Sequence, residues 1–175
     1  MTLRSLSESR GSRRLVLAGF CGVLALSLSG QTPDISRKPN FTGRWRMVKD
    51  RSEFHGFKMP DGVVRVVDHR DPVLNLHTLQ TTGTKTSIAD VSYFTDGSPS
   101  TNTINGREAQ SKAYWDGPAL VIRTTMKNAK GDNELIEDRW ELSADGQTLT
   151  TTSHVSTEQG GAILTLVCEK ESVNR

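Results

Sequence analysis

Cysteine is almost missing from this chain of 175 residues: there are two, Cys21 and Cys168. The first falls inside an N-terminal apolar run, so removal of that run leaves a lone thiol and no internal disulfide. Membrane-length hydrophobic segments are missing too. The longest apolar stretch, Leu15 to Leu28, falls short of the roughly 20 residues a spanning helix needs, so no transmembrane span is expected. No window of useful length shows apolar residues spaced by three and four, which leaves little room for helix. There is no Gly-x-Ser-x-Gly and no glycine-rich loop before a helix, and no cysteine stands near a histidine in a recognisable signature. The histidines, His55, His69, His77 and His154, form no close pair at ligand spacing. These gaps give no support to an enzyme, a metal site or a cofactor, and none of the three is expected.

The N-terminus reads as an address. Arg4, Arg10, Arg13 and Arg14 precede the apolar run, and Ser29 and Gly30 follow it, which is the layout of a secretory signal over residues 1–30. Ser12-Arg13-Arg14-Leu15-Val16-Leu17 partly matches the twin-arginine export pattern. Leu17-Ala18-Gly19 ahead of Cys21 suggests a lipobox, but Phe20 occupies the place of its last small residue. A periplasmic or secreted location follows. The whole chain carries a formal charge of +2, and loss of four arginines and Glu8 leaves 18 basic against 19 acidic residues. A near-neutral domain with no basic cluster offers nucleic acid no footprint.

What is present is turn chemistry between β-prone segments. Asp96-Gly97, Asn105-Gly106, Asp116-Gly117 and Asp145-Gly146 separate runs rich in Val, Ile, Thr, Tyr and Trp. Such dipeptides accept the positive φ of hairpin turns and predict strands that pair with their neighbours in sequence. After a polar lead-in at 31–40, expected to be a flexible linker, Phe41, Gly43, Trp45 and Met47 alternate with more polar residues as one strand. Further strands are expected at Val63–His69, Val73–Leu79, Thr86–Phe94, Thr101–Ile104, Arg107–Trp115, Ala119–Met126, Glu134–Leu142, Thr148–Val155 and Ala162–Glu169. Lys49 to Gly62 has room for one turn of helix or a folded-over loop covering one end. About ten sequential strands favour closure over a flat sheet. The expectation is all-β: an antiparallel up-and-down meander closed into a barrel over residues 41–171, with a tail at 172–175.

Phe41-Thr42-Gly43-Arg44-Trp45, ahead of a meander, resembles the opening strand of the calycin group, which includes the lipocalins and the fatty-acid-binding proteins. Trp115-Asp116-Gly117-Pro118-Ala119-Leu120-Val121-Ile122 and Asp138-Arg139-Trp140-Glu141-Leu142-Ser143-Ala144-Asp145-Gly146 are similar to segments of secreted bacterial lipocalin-like proteins. The resemblance implies a lipocalin-like barrel that takes a small hydrophobic or amphipathic molecule inside, with Trp45 plugging the floor. Two departures bear on specificity. The helical pair of fatty-acid-binding proteins has no room between Lys49 and Val63, and their Arg-x-Tyr on the last strand is missing from Ile163 to Glu169.

Polar residues on apolar strand faces mark candidate ligand contacts, because burial without a partner is costly. Asp138 shares a face with Ile136, Trp140 and Leu142; Asp90 with Ile88 and Phe94; Asp68 with Val64 and Val66. Each carboxylate can instead pair with Arg65, Arg123 or Arg139, or reach solvent at a strand end. Trp140, Asp138, Asp90, Trp45 and Phe94 are therefore the candidate ligand-binding residues. Tyr93 and Phe94 stand on opposite faces, so only one of them looks inward. A different role, as an envelope interaction or inhibitor module acting through loops, rests on His55-Gly56-Phe57-Lys58-Met59-Pro60.

Overall fold

The computed structural model describes residues 38–172; the expected signal sequence, most of the lead-in and the last three residues lie outside them. Eleven antiparallel strands are present among the described residues: β1 (Gly43–Met47), β2 (Glu53–Phe54), β3 (Gly62–Arg70), β4 (Val73–Thr82), β5 (Lys85–Phe94), β6 (Pro99–Ile104), β7 (Arg107–Asp116), β8 (Ala119–Lys127), β9 (Asn133–Leu142), β10 (Thr148–Thr157) and β11 (Gly160–Lys170). Ten of them follow one another around a nearly closed barrel in the order β5-β4-β3-β1-β11-β10-β9-β8-β7-β6, and β2 pairs with β11 off this path. From β3 to β11 each strand lies beside the next in sequence, except β5 and β6 at the seam, and β1 stands between β3 and β11.

The extra strand, β2, comes from a break in the first one. β1 pairs with the end of β11 through Met47 and Cys168, the chain turns through a 3-10 segment at Lys49–Arg51, and β2 resumes along β11 at Leu164 and Thr165. The break needs a substitute partner for β11. Ser52 supplies it: its hydroxyl donates to the Val48 carbonyl at 2.8 Å and accepts from the Val167 amide at 3.0 Å. A buried amide left without such an acceptor costs about 1–3 kcal/mol.

Three of the four glycine dipeptides turn between paired strands. Asn105 and Gly106 both take positive φ, 52° and 75°, as the tightest hairpin demands. In the next hairpin the centre shifts by one residue to Gly117-Pro118, because Asp116 already pairs with Ala119. Asp96-Gly97 departs from expectation. β5 and β6 form no backbone ladder, and Gly97 donates instead to the carbonyl of Ala113. The barrel is closed here by one side chain: Asn102 accepts from the Ser92 amide at 2.8 Å and donates to the Ser92 carbonyl at 3.0 Å.

Burial of the inward-facing residues changes along the barrel. Toward the turns beginning at Asp71, Gly117 and Ser143, the inward side chains Leu74, Tyr93, Leu120, Trp140 and Leu149 are buried. Toward the opposite turns, the inward residues Gln80, Ala89, Ile136, Thr157 and Ala162 are only partly covered, and Ser87 is exposed. The barrel thus has a packed floor and an interior that opens toward its other end. The 48–61 segment covers part of that end with Phe54 and Met59, which pack against the core.

Candidate functional site

The floor is built from aromatic rings. Phe41 stacks on Trp115 at 5.9 Å and on His69 at 5.8 Å, and meets the edge of Trp140 at 5.6 Å. Trp45 is fully buried and donates its indole N–H to the Phe41 carbonyl at 2.9 Å. The Gly-x-Trp spacing has a local cause. The Lys170 ammonium lies 5.2 Å from the Trp45 ring, and its chain crosses Gly43 so closely that a Cβ there would sit 2.6 Å from Lys170 Cε. His69 is held in its neutral form, because burial pushes its pKa down despite the opposing pull of Asp71.

Above the floor the wall turns polar. Arg65 points inward from β3 between Val63 and Val67 and donates through Nη1 to the Thr151 hydroxyl on β10 at 2.8 Å. Its guanidinium lies 5.2 Å from the Trp140 ring. Asp138 accepts from the hydroxyl of Ser153, two residues beyond Thr151 on the same face of β10. Asp138 is half-buried, and desolvation raises its pKa even though Ser153 and the Arg65 charge work the other way. Tyr93 faces the same group. Burial raises its phenol, the Asp138 charge adds to the rise, and Arg65 opposes it. Ser111 and Thr124 bond to each other at 2.8 Å farther along the wall.

Two donors in this belt have no partner: Arg65 Nε and Trp140 Nε1 are buried and unbonded. Buried donors are nearly always satisfied, and each orphan costs about 1–3 kcal/mol. They belong to neighbouring side chains, since the Arg65 guanidinium lies 5.2 Å from the Trp140 ring. A guest carrying a hydrogen-bond acceptor is the group they are equipped to receive.

The candidate residues from sequence divide cleanly. Trp45, Trp140 and Asp138 are inside the barrel. Asp90 and Phe94 do share a face, but it is the outer one: Asp90 is exposed and bonds His77 at 2.6 Å, and Phe94 is 38% exposed. Tyr93 is the inward member of its pair. Both faces of β5 carry apolar residues, so alternation does not choose between them; pairing of Leu74 with Tyr93 and Leu76 with Val91 does. The same ambiguity on β3 put Asp68 outside and concealed Arg65, whose inward position follows from the pairing of Trp45 with Arg65. Among the described residues no group of three or more metal-capable side chains is brought together, and no helix is long and apolar enough to cross a membrane.

No protein-family model matches this sequence, and comparison with curated proteins finds no match. Solved structures do match in shape. A secretory abundant heat-soluble protein of Ramazzottius varieornatus is similar with a TM-score of 0.57 and 17% identity, over 78% of this chain and 98% of its own. The lipid-binding protein 8 of Caenorhabditis elegans gives 0.53 and 12% identity, over 75% and 95%. Zebrafish ileal bile-acid-binding protein, solved with cholic acid, gives 0.50 and 18%, over 75% and 98%. The shared feature is the fold, a nearly closed antiparallel barrel. At these identities the likeness is one of architecture, and the polar belt must be interpreted from its own atoms.

Proposed function

We propose that this protein binds a small amphipathic molecule inside the barrel, apolar body toward the open end and acceptor-bearing head against Arg65 and Trp140. The observation that carries this reading is the pair of buried, unbonded donors, Arg65 Nε and Trp140 Nε1, which stand between the packed floor and the partly covered inward residues beyond it. The small side chains of Ala89 and Ala162 stand at inward positions there, where bulkier ones would take up the space. The function is carriage or sensing rather than catalysis. The basic and apolar leader supports export, so the binding takes place in the periplasm or outside the cell.

Titration with retinol, a long-chain fatty acid and a bile acid, followed by quenching of tryptophan emission, tests the reading. Saturable quenching is expected, with affinity at least about tenfold lower in Arg65→Met, the loss of one charge-assisted hydrogen bond. Absence of saturable quenching by any of these amphiphiles, or identical affinity in Arg65→Met, overturns it.

A loop-mediated interaction has one observation in its favour: Phe57 is 49% exposed. Met59 cannot serve with it as an anchor, because it packs against the core. Recovery of a partner lost on Phe57→Ser would favour that role.

A further inference from the structure

β5 outreaches the strand beside it. Its ten residues pair along their whole length with β4, whereas β6 has six. Asn102 stands level with Ser92 through its two side-chain hydrogen bonds, so Ile104, the last residue of β6, falls level with Asp90. Ala89 falls level with the β6–β7 turn, and Lys85 to Ile88 project past it. The exposure agrees: Lys85, Thr86, Ser87 and Ile88 are all exposed, on both faces of the strand, and Ile88 at 57% is more exposed than any other large hydrophobic residue described.

The projecting edge is chemically ready for another strand. The Ser92 amide and carbonyl face the seam, and two-residue alternation directs those of Thr86 and Ile88 the same way, where no strand of this chain meets them. Natural edges are blunted by proline, bulges or central charge. Thr86-Ser87-Ile88-Ala89 has none of these, whereas β6 on the other side of the seam is short and begins at Pro99.

We propose that this edge pairs antiparallel with the same edge of a second copy of the chain, about a two-fold axis at Ser87. Thr86 of each copy then exchanges two backbone hydrogen bonds with Ile88 of the other, and the two Ile88 side chains become partly covered. Charge selects the direction. Parallel pairing would align Lys85 with Lys85 and Asp90 with Asp90, whereas antiparallel pairing sets each Lys85 opposite the neutral Ala89. An isologous contact of this sort closes on itself and leaves the second edge, with Pro99, outside. It is much smaller than the roughly 1,200–2,000 Å² of stable complexes, so the dimer is weak and forms reversibly at high concentration.

Sedimentation velocity over an about 1,000-fold concentration range tests this by mass action. The wild-type protein should shift toward dimer at the high end, with amide exchange at Thr86 and Ile88 slowing in parallel. Ile88→Lys keeps the fold at an exposed site and places like charges across the axis; Ile88→Pro deletes an edge-facing donor. Both should remain monomeric, and Ile163→Lys, on another exposed stretch of wall, should dimerise as wild type does. A monomer at every concentration overturns the proposal. So does a dimer that survives both Ile88 substitutions or leaves the Thr86 and Ile88 amides unprotected.

Discussion

The two ends of this barrel are made by the same strands and solve opposite problems. At the floor, the inward residues are large and the space is full: Phe41, Trp45, Leu74, Leu120 and Leu149 are each fully buried. Farther along the strands, Gln80, Ser87, Thr157 and Ala162 occupy the inward positions, and none is fully covered. The polar belt of Arg65, Asp138, Thr151 and Ser153 stands at the boundary. The contrast shows a division of labour along each strand, in which one half supplies cohesion and the other tolerates unfilled space. Charged and hydroxylated groups concentrate where those halves meet, and there they bond to one another across the barrel.

The largest effect should come from breaking the floor. Trp45→Ala removes a fully buried indole and its hydrogen bond to Phe41, and is expected to cost about 3–5 kcal/mol in urea unfolding; a cost under about 1 kcal/mol would mean that the floor is not the cohesive half. Next is Asp138→Asn. The folded state raises this carboxyl's pKa, so its contribution is present below the ordinary aspartate value of 3.8 and is lost as pH rises through the raised one. The amide should therefore equal or exceed wild type by about 1 kcal/mol at neutral pH, seen as a higher urea midpoint that vanishes in strong acid. His69 has the opposite sign. Its lowered pKa gives stability above the ordinary value of 6.5 that is lost as pH falls below it. His69→Gln should flatten that acid-side decline, measured as the slope of the unfolding midpoint from pH 7 downward. Smallest of all, Ser87→Ala at the open end should change stability by less than about 0.5 kcal/mol. A loss comparable to that of the floor would erase the distinction between the two ends.

The seam and the first-strand break carry a related lesson. Ser52 repairs a buried interruption with one hydroxyl, and Asn102 bridges an exposed one with an amide. Asn102→Ala should speed hydrogen exchange at Ser92 while leaving the urea midpoint nearly unchanged.

Much of the scaffold is legible in the residues. Asn105-Gly106 announces its hairpin, the alternation of Trp45 and Met47 identifies an inward face, and ten strand segments are recognisable from β-branched runs. Strand two is not, because two residues cannot establish a period. Nor does Asp96-Gly97 distinguish a turn between paired strands from a turn between strands held by one side chain, since local backbone preference is the same in both. In the candidate site, Trp45, Trp140 and Asp138 are recoverable from alternation, while Asp90 and Phe94 fall outside and Arg65 was hidden among valines on both faces of β3.

Local chemistry, carried by every residue and its nearest neighbours, was enough to determine an all-β antiparallel meander with an aromatic opening strand. Which way β3 and β5 present their side chains was decided only by pairing across the sheet. A shift of one residue exchanges every inward group for an outward one, and where both faces are equally apolar, only the partner strand supplies the energy that distinguishes them.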